Sequence, residues 1–386
     1  MSEVTKSIIG ESADRKSRVF VLNNYPLDRV IREVDLAETP DHVLFGVDRL
    51  ADMGYEPIFL PYPAEGFWSR VQGWVKSLRL PLELGDLQQQ VLALREMRKG
   101  DVIYAPCGSQ THLLQYLRAL GLLKVPIVTL MHHPFPKGKL DIFRSWQRRL
   151  FVKGADRLPS LSRAVEDELG KWGCPAAKRE ALEWGADVDF YGPWTPPGEG
   201  VIATGRTGRD FRTFALAAAT TGIRTTIVGL EGQFEDEIYR APENLHVIET
   251  PNQQPVPGEK KGWMKYPELC RHMADHAVIA IPLYDQKSLV GITSLMDALG
   301  LGRAVLMTRN VHVDLDIEAH GIGFWLQPGD VDGWKDRLRW VNEHPEEVKE
   351  MGRRARALAE SRFNSIAFAR RMGDLLGEVL QSEVAR

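Results

Sequence analysis

GITSLMDALGLGRAV, residues 291–305, is the stretch on which the reading of this chain turns. A glycine and two hydroxyl residues lie near its start, one acid, Asp297, sits inside an apolar run, and two glycines and an arginine precede AVLMT at 304–308. The apolar run reads as a buried helix and AVLMT as a buried strand. AVIAIPL at 277–283 reads as another buried strand upstream. Strand, polar loop, helix and strand in succession suit a parallel sheet covered on both faces. An acid one turn into such a helix either offsets the helix dipole or serves a ligand at the helix mouth.

The same alternation extends in both directions. Upstream strands are expected at RVFVL (18–22), EPIFL (56–60), DVIYA (101–105), VPIVTL (125–130) and DRLPSL (156–161). Between them DHVLFGVDRLADMG (41–54), LQQQVLALREMRKG (87–100) and HLLQYLRALG (112–121) carry a helical period and end on glycine, a common helix stop. YGPWTPPGEG at 191–200 has three prolines and three glycines and reads as a linker. The pattern then restarts with strands VIATG (201–205), TTIVGL (225–230) and LHVIET (245–250), and helices from 210, at 266–275 and at 293–300. Residues 331–386 are nearly all helical by period. The fold expected is α/β, with two Rossmann-like, doubly wound domains.

A chain of 386 residues exceeds one compact core. Its 44% hydrophobic and 26% charged residues are ordinary for a globular protein, and a net charge of −3 gives no footprint for nucleic acid. No apolar run has the length of a membrane span, and MSEVTKSIIGESADRKS lacks the pattern of a secretory signal. Cys107, Cys174 and Cys270 are scattered and form neither a disulfide framework nor a metal cluster. A cytoplasmic protein with reduced thiols is expected.

Ligands of doubly wound sheets bind beyond the carboxyl ends of the strands. One such loop is VIATGRTGRD at 201–210. Gly205 and Gly208 permit a tight turn and close approach of a ligand, Arg206 and Arg209 suit phosphate oxygens, and Asp210 suits the N-cap of the next helix. The alternative is an ordinary loop with solvated arginines. The second loop is GITS at 291–294, where helix N–H groups and the Thr293 and Ser294 hydroxyls suit an anion. Asp297, about one turn on, would repel phosphate and suits the hydroxyls of a ribose.

GRTGRDFRTF (205–214), GITSLMDALGLGRAV (291–305) and HGIGFWLQPGDVDGWKDRL (320–338) resemble the nucleotide-binding half of GT-B glycosyltransferases of the large retaining family 4. TLMHHP (129–134), GADRLPSLSRAVEDEL (154–169), EWGADVDFY (183–191) and TPDHVLFGVDRLADMGYE (39–56) extend the resemblance over nearly the whole chain. It implies GT-B architecture, with residues 1–17 a flexible tail, 18–190 the acceptor-side domain, 191–200 the linker and 201–365 the nucleotide-sugar domain. A C-terminal helix at 366–386 would pack back on the first domain.

The implied activity is transfer of a hexose-type sugar from a nucleotide diphosphate, UDP by the family's habit, to a glycan, lipid-linked or small-molecule acceptor. Anomeric configuration would be retained, and no metal or other cofactor is expected. By match, Arg206 and Arg209 hold the diphosphate and stabilise its departure. Gly205, Gly291, Ile292, Thr293 and Ser294 contact the donor, Asp297 binds ribose, and His132 faces the donor sugar. Asn23, Asn24 and His133 fall on the acceptor side. Two departures stand out. Leu289 occupies the place of the family's first glutamate, unless Asp285 substitutes, and LNNYPL at 22–27 lacks the usual glycine pair. A non-hydrolysing nucleotide-sugar epimerase and a non-catalytic nucleotide-binding partner subunit stay open as alternatives.

Other signals are discounted. Asp187-Val-Asp189, Asp314-Leu-Asp316 and Asp330-Val-Asp332 repeat an Asp-x-Asp pattern too often for it to mark metal. GIG at 321–323 reads as a turn. GFWSRVQGWVKSLRLP (66–81) and FRSWQRRLFVKG (143–154) interleave aromatic and basic residues. The favoured reading is a helix that buries its aromatic face; the alternative is peripheral contact with an anionic inner-membrane surface.

Overall fold

The computed structural model describes residues 16–63, 65–78, 82–136, 141–240, 242–251 and 264–384. The expected tail lies mostly outside them, as do Arg79 and the end of the 66–81 stretch. The first sheet is built from β1 (Arg18–Val21), β2 (Glu56–Phe59), β3 (Val102–Ala105) and β4 (Ile127–Thr129), in the order β2-β1-β3-β4. Bridges from Val128 to Arg157 and from Met131 to Ser160 dock β5 (Leu158–Ser160) beside β4, and β6 (Arg179–Ala181) pairs with β5. The helices of this half are α1 (Leu27–Asp35), α2 (Phe67–Ser77), α3 (Leu87–Glu96), α4 (His112–Ala119), α5 (Asp141–Gly154) and α6 (Arg163–Lys171).

The second half contains β7 (Val201–Thr204), α7 (Phe211–Ala218), β8 (Thr225–Leu230), β9 (Leu245–Thr250), α8 (Tyr266–Ala274), β10 (Val278–Ile281), α9 (Ile292–Leu301), β11 (Ala304–Thr308) and β12 (Gly323–Leu326). These strands form one parallel sheet in the order β12-β11-β10-β7-β8-β9. All four residues of β3, β7 and β10 are buried, as expected for strands covered on both faces. Helices α10 (Val331–Glu343), α11 (Pro345–Ser361) and α12 (Ser365–Val384) complete the chain. Helix α12 returns to the first half. Tyr55 donates to the Gly373 carbonyl at 2.9 Å, and Arg157 pairs with Glu378 at 3.1 Å.

The strand orders set where ligands can enter. In each sheet the winding reverses once, between β1 and β3 in the first and between β7 and β10 in the second. The crevice at such a reversal is the usual ligand site. The loop after β1 carries Asn23 and Asn24; the loops after β7 and β10 carry the two phosphate-type motifs.

One expected helix does not form. Residues 41–54 make two short 3₁₀ turns, Asp41–Leu44 and Val47–Arg49. Phe45 at φ 53° and Gly46 at φ 80° are left-handed and break the helix. Phe45 instead stacks on Trp184 at 5.5 Å and meets the His132 ring at 4.6 Å. A second correction concerns 66–81. Phe67 and Trp74 are each 63% exposed, so α2 does not bury its aromatic face.

Candidate active site

The loop after β7 closes on itself through Arg209. Its guanidinium donates from Nε to the Thr204 carbonyl at 2.7 Å, from Nη1 to the Thr207 carbonyl at 3.1 Å and from Nη2 to Ser294 Oγ at 2.9 Å. Gly205, at φ 114°, makes this fold-back possible, because a Cβ there would lie 2.2 Å from Arg209 Nη2. The loop is also stitched to the segment after β10. Asp210 N–H donates to the Pro282 carbonyl, and Tyr284 N–H to the Gly208 carbonyl, both at 3.1 Å. Asp210 caps α7 by accepting from Thr213 N–H at 3.1 Å.

Among the described residues no carboxylate lies within ion-pair distance of Arg209. Burial lowers its pKa to about 10, opposed only by the more distant charge of Asp297. Arg206 stands on the outer side of the same loop, and desolvation lowers it to about 10 as well. Two cations partly stripped of water favour any ligand that brings negative charge.

Helix α9 starts beside them. Gly291 is left-handed at φ 86°, and a Cβ there would meet Met307 Cε at 2.9 Å, so glycine lets the helix begin hard against the sheet. No side chain caps this start. Thr293 is exposed, Ile292 half-buried and Ser294 buried against Arg209. The uncapped start of α9 and the Arg209 guanidinium thus meet where β7 and β10 end.

Asp297 is placed differently from the expectation of an open helix mouth. It is 3% exposed. Its Oδ1 accepts from the Tyr191 phenol at 2.7 Å and from the Tyr266 phenol. Desolvation raises its pKa to about 6, against the opposing pull of those phenols and of Arg209. Neither tyrosine was legible as a partner, since both lie far away in sequence. Leu289 is buried in the apolar core, and Asp285 is exposed on the loop.

On the first-half side, His132 follows β4. Its Nε2 donates to the Pro106 carbonyl at 2.6 Å, which leaves Nδ1 of the neutral ring as an acceptor. Burial lowers its pKa to about 4. His133 is exposed, with its pKa lowered by desolvation and then by the charge of His312 on the loop after β11. That places His133 opposite the second sheet. Asn24 is exposed and shares with His132 and His133 a cleft of about 750 Å³. Asn23 does not face it. The residue is fully buried, its N–H donates to Gln89 Oε1 at 3.1 Å and its carbonyl accepts from Gln89 Nε2 at 2.7 Å. Backbone pairing with α3 turns that side chain inward, which corrects its expected acceptor role.

Two polar groups in the cleft escaped the sequence reading. Glu83 Oε2 lies 3.4 Å from His112 Nε2, and that hydrogen bond holds the carboxyl below its usual range. His112 read only as a helix start. The Asp-x-Asp pairs are structural: Asp187 accepts from Asp41 N–H at 2.7 Å, Asp316 from Trp325 Nε1 at 3.0 Å and Asp330 from Gly333 N–H at 2.9 Å. Among the described residues no three His, Cys, Asp or Glu side chains group as metal ligands.

Residues 45–190 match the family model for Glycosyltransferase Family 4. No curated protein matches the chain. Several solved structures do. Anabaena HepE in complex with UDP-glucose is 14% identical, with a TM-score of 0.61 over 95% of this chain and 100% of that one. A glycosyltransferase from Rickettsia africae is 13% identical, with a TM-score of 0.65 over 95% and 99%. Sucrose-phosphate synthase from Thermosynechococcus elongatus is 13% identical, with a TM-score of 0.63 over 95% and 100%. The fold is that of the GT-B glycosyltransferases, two Rossmann-like domains, as the motifs implied.

Proposed function

We propose that this chain is a glycosyltransferase that moves a sugar from a nucleotide diphosphate sugar, with UDP as the nucleotide, to a hydroxyl of a glycan, lipid-linked or small-molecule acceptor. The observation that carries the reading is Arg209. Its desolvated guanidinium meets Ser294 at the uncapped start of α9, where the winding of the second sheet reverses. The Anabaena relative's complex with UDP-glucose supports the choice of donor.

In this reading the diphosphate lies on the N–H groups of Ile292, Thr293 and Ser294, beside Arg206 and Arg209, with Gly205 and Gly291 giving it room. The bond from the sugar C1 to the phosphate oxygen breaks through an oxocarbenium-like state. The acceptor oxygen bonds C1 on the same face, its proton passes to the departing phosphate oxygen, and nucleotide diphosphate leaves. Configuration is retained. Arginines and helix N–H groups, already oriented, stabilise the developing negative charge without a metal. His132 offers Nδ1 to a hydroxyl of the donor sugar, and Asn24 and His133 face the acceptor. Asp297 reaches ribose only through the carboxylate capacity that Tyr191 and Tyr266 leave. The protein acts in the cytoplasm.

The buried Leu289 favours one second reading, a nucleotide-binding partner subunit without turnover. Thermal-shift titration with UDP, GDP and ADP, followed by assay of nucleotide diphosphate released from the matching sugars, separates the two. Stabilisation by UDP with release from a UDP-sugar is expected. Binding without release selects the partner subunit, and no stabilisation by any nucleotide removes both.

A further inference from the structure

Helix α2, Phe67–Ser77, buries no residue along its length. Its inner side is held by polar bonds. Gln72 Nε2 donates to the Gly85 carbonyl at 2.6 Å, Gln72 Oε1 accepts from Leu87 N–H at 3.0 Å, and Trp68 N–H donates to Gln88 Oε1 at 3.1 Å. At about 100° per residue, Phe67, Trp74 and Leu78 fall on one stripe. That stripe faces outward: the three are 63%, 63% and 47% exposed. An ordinary surface helix turns its apolar stripe to the core; this one turns it to solvent.

The charges around the stripe have one sign. The helix carries two cations and no acid: exposed Arg70 lies about 60° from Phe67 beside the stripe, and exposed Lys76 lies on the opposite side, toward the cleft. Lys76, Val75 and Leu82 also line the cleft that holds His132 and His133. Across the cleft, α5 exposes Trp146, Arg149 and Lys153. It lies close by, since Glu83 N–H donates to Gln147 Oε1 at 2.8 Å. An exposed apolar stripe beside Arg70, on a helix fixed from its other side, with the Trp146, Arg149 and Lys153 stripe of α5 nearby, has the chemistry of a surface lying in the headgroup layer of an anionic bilayer.

We propose that α2 docks this chain on an anionic lipid bilayer, with Phe67, Trp74 and Leu78 inserted, Arg70 on lipid phosphates and the exposed Arg149 and Lys153 of α5 drawn to the same surface. The cleft mouth then opens at the membrane surface, and the acceptor is a hydroxyl carried on a lipid. The acceptor clause rests on the glycosyltransferase reading above; the docking does not. A partner protein would have to match a short, purely cationic helix beside a substrate mouth. A bilayer matches both features and leaves the mouth supplied with acceptor.

The test is co-sedimentation of the full chain with vesicles of phosphatidylglycerol and phosphatidylcholine against vesicles of phosphatidylcholine alone, at low and high salt. Binding to the anionic vesicles is expected to be at least about tenfold tighter and to weaken with salt. The Phe67→Ser/Trp74→Ser double variant should lose it, and Arg70→Glu/Arg149→Glu should weaken it, with the melting temperature and the UDP thermal shift unchanged. Failure of the wild type to bind anionic vesicles overturns the docking, as does undiminished binding by the serine variant. A concentration-dependent dimer that the serine variant abolishes would assign the stripe to a second copy and also overturn it. Loss of the glycosyltransferase reading would appear separately, as absence of any nucleotide thermal shift in a wild type that still binds vesicles.

Discussion

Tyr191 donates its phenol hydrogen to Asp297 Oδ1 at 2.7 Å, and this bond ties the segment between the two domains to helix α9 of the second. Tyr266, on α8, donates to the same oxygen. The acid of the opening motif therefore joins α9 to both the 191–200 segment and α8. Binding of ribose hydroxyls at Asp297 would compete with, or add to, bonds that set how the linker lies on α9.

The first prediction concerns pH. Asp297 has a folded pKa of about 6 against an ordinary value of 3.8, because burial disfavours the carboxylate. The folded state therefore holds the proton more tightly than the unfolded state. Its contribution is fully present below pH 3.8 and is lost as pH rises through about 6. The shift corresponds to a loss on the order of 3 kcal/mol. Asp297→Asn removes the titration but keeps an acceptor for the phenols. Urea denaturation should show the stability gap between variant and wild type moving in the variant's favour from pH 4 to pH 8. Parallel curves would sink the assignment.

Arg209→Lys should bind UDP more weakly than wild type. Lysine keeps the charge but cannot reproduce the fork that spans Thr204, Thr207 and Ser294. Loss of a charged hydrogen bond costs about 1.5–3 kcal/mol, or roughly 10-fold to 150-fold in affinity. Calorimetric titration with UDP measures it. An affinity within twofold of wild type would show that Arg209 organises the loop without touching the ligand.

Parts of this were legible in the sequence because the signals are local. TTIVGL, LHVIET and AVLMT are short apolar runs between turn residues, and each forms its strand at the expected residues. GRTGRD and GITS were legible as turns at strand ends because glycines punctuate them, and the structure joins the two through Arg209 and Ser294. What escaped depends on contacts between distant residues. The 41–54 helix fails because Phe45 packs on Trp184, far along the chain. Asn23 turns inward because Gln89 pairs with its backbone. In α2 the helical period revealed an apolar stripe but not whether anything covers it.

His132 should stay neutral throughout the working range. Burial lowers its pKa to about 4 from 6.5, so the unfolded state binds the proton more tightly. Its contribution to stability is present above pH 6.5 and is lost as pH falls toward 4. With Nε2–H held by Pro106, the Nδ1 acceptor is the free function. His132→Ala should lower kcat/KM by about 2-fold to 13-fold, the equivalent of one neutral hydrogen bond worth about 0.5–1.5 kcal/mol. The acid limb of the wild-type rate profile should show no group near pH 6.5 that the variant lacks. Such a group would mean that His132 works as a protonated acid.

Gly300 gives the last and most direct test of the Tyr191–Asp297 contact. A Cβ at this position would lie 2.1 Å from Tyr191 Cδ2. Gly300 lies one turn beyond Asp297 on the same helix, so the added methyl pushes the ring away from the carboxylate that it bonds. Overpacking of this kind costs about 1–3 kcal/mol, although alanine is itself the better helix former. Gly300→Ala should therefore lower stability, and Tyr191→Phe in the same chain should cost less than it does in wild type, because the bond that it deletes is already strained or broken. Denaturation of the two single variants and the double variant gives the coupling directly. Additive costs would mean that Tyr191 keeps its bond to Asp297 when displaced, and that the contact does not set the position of the linker.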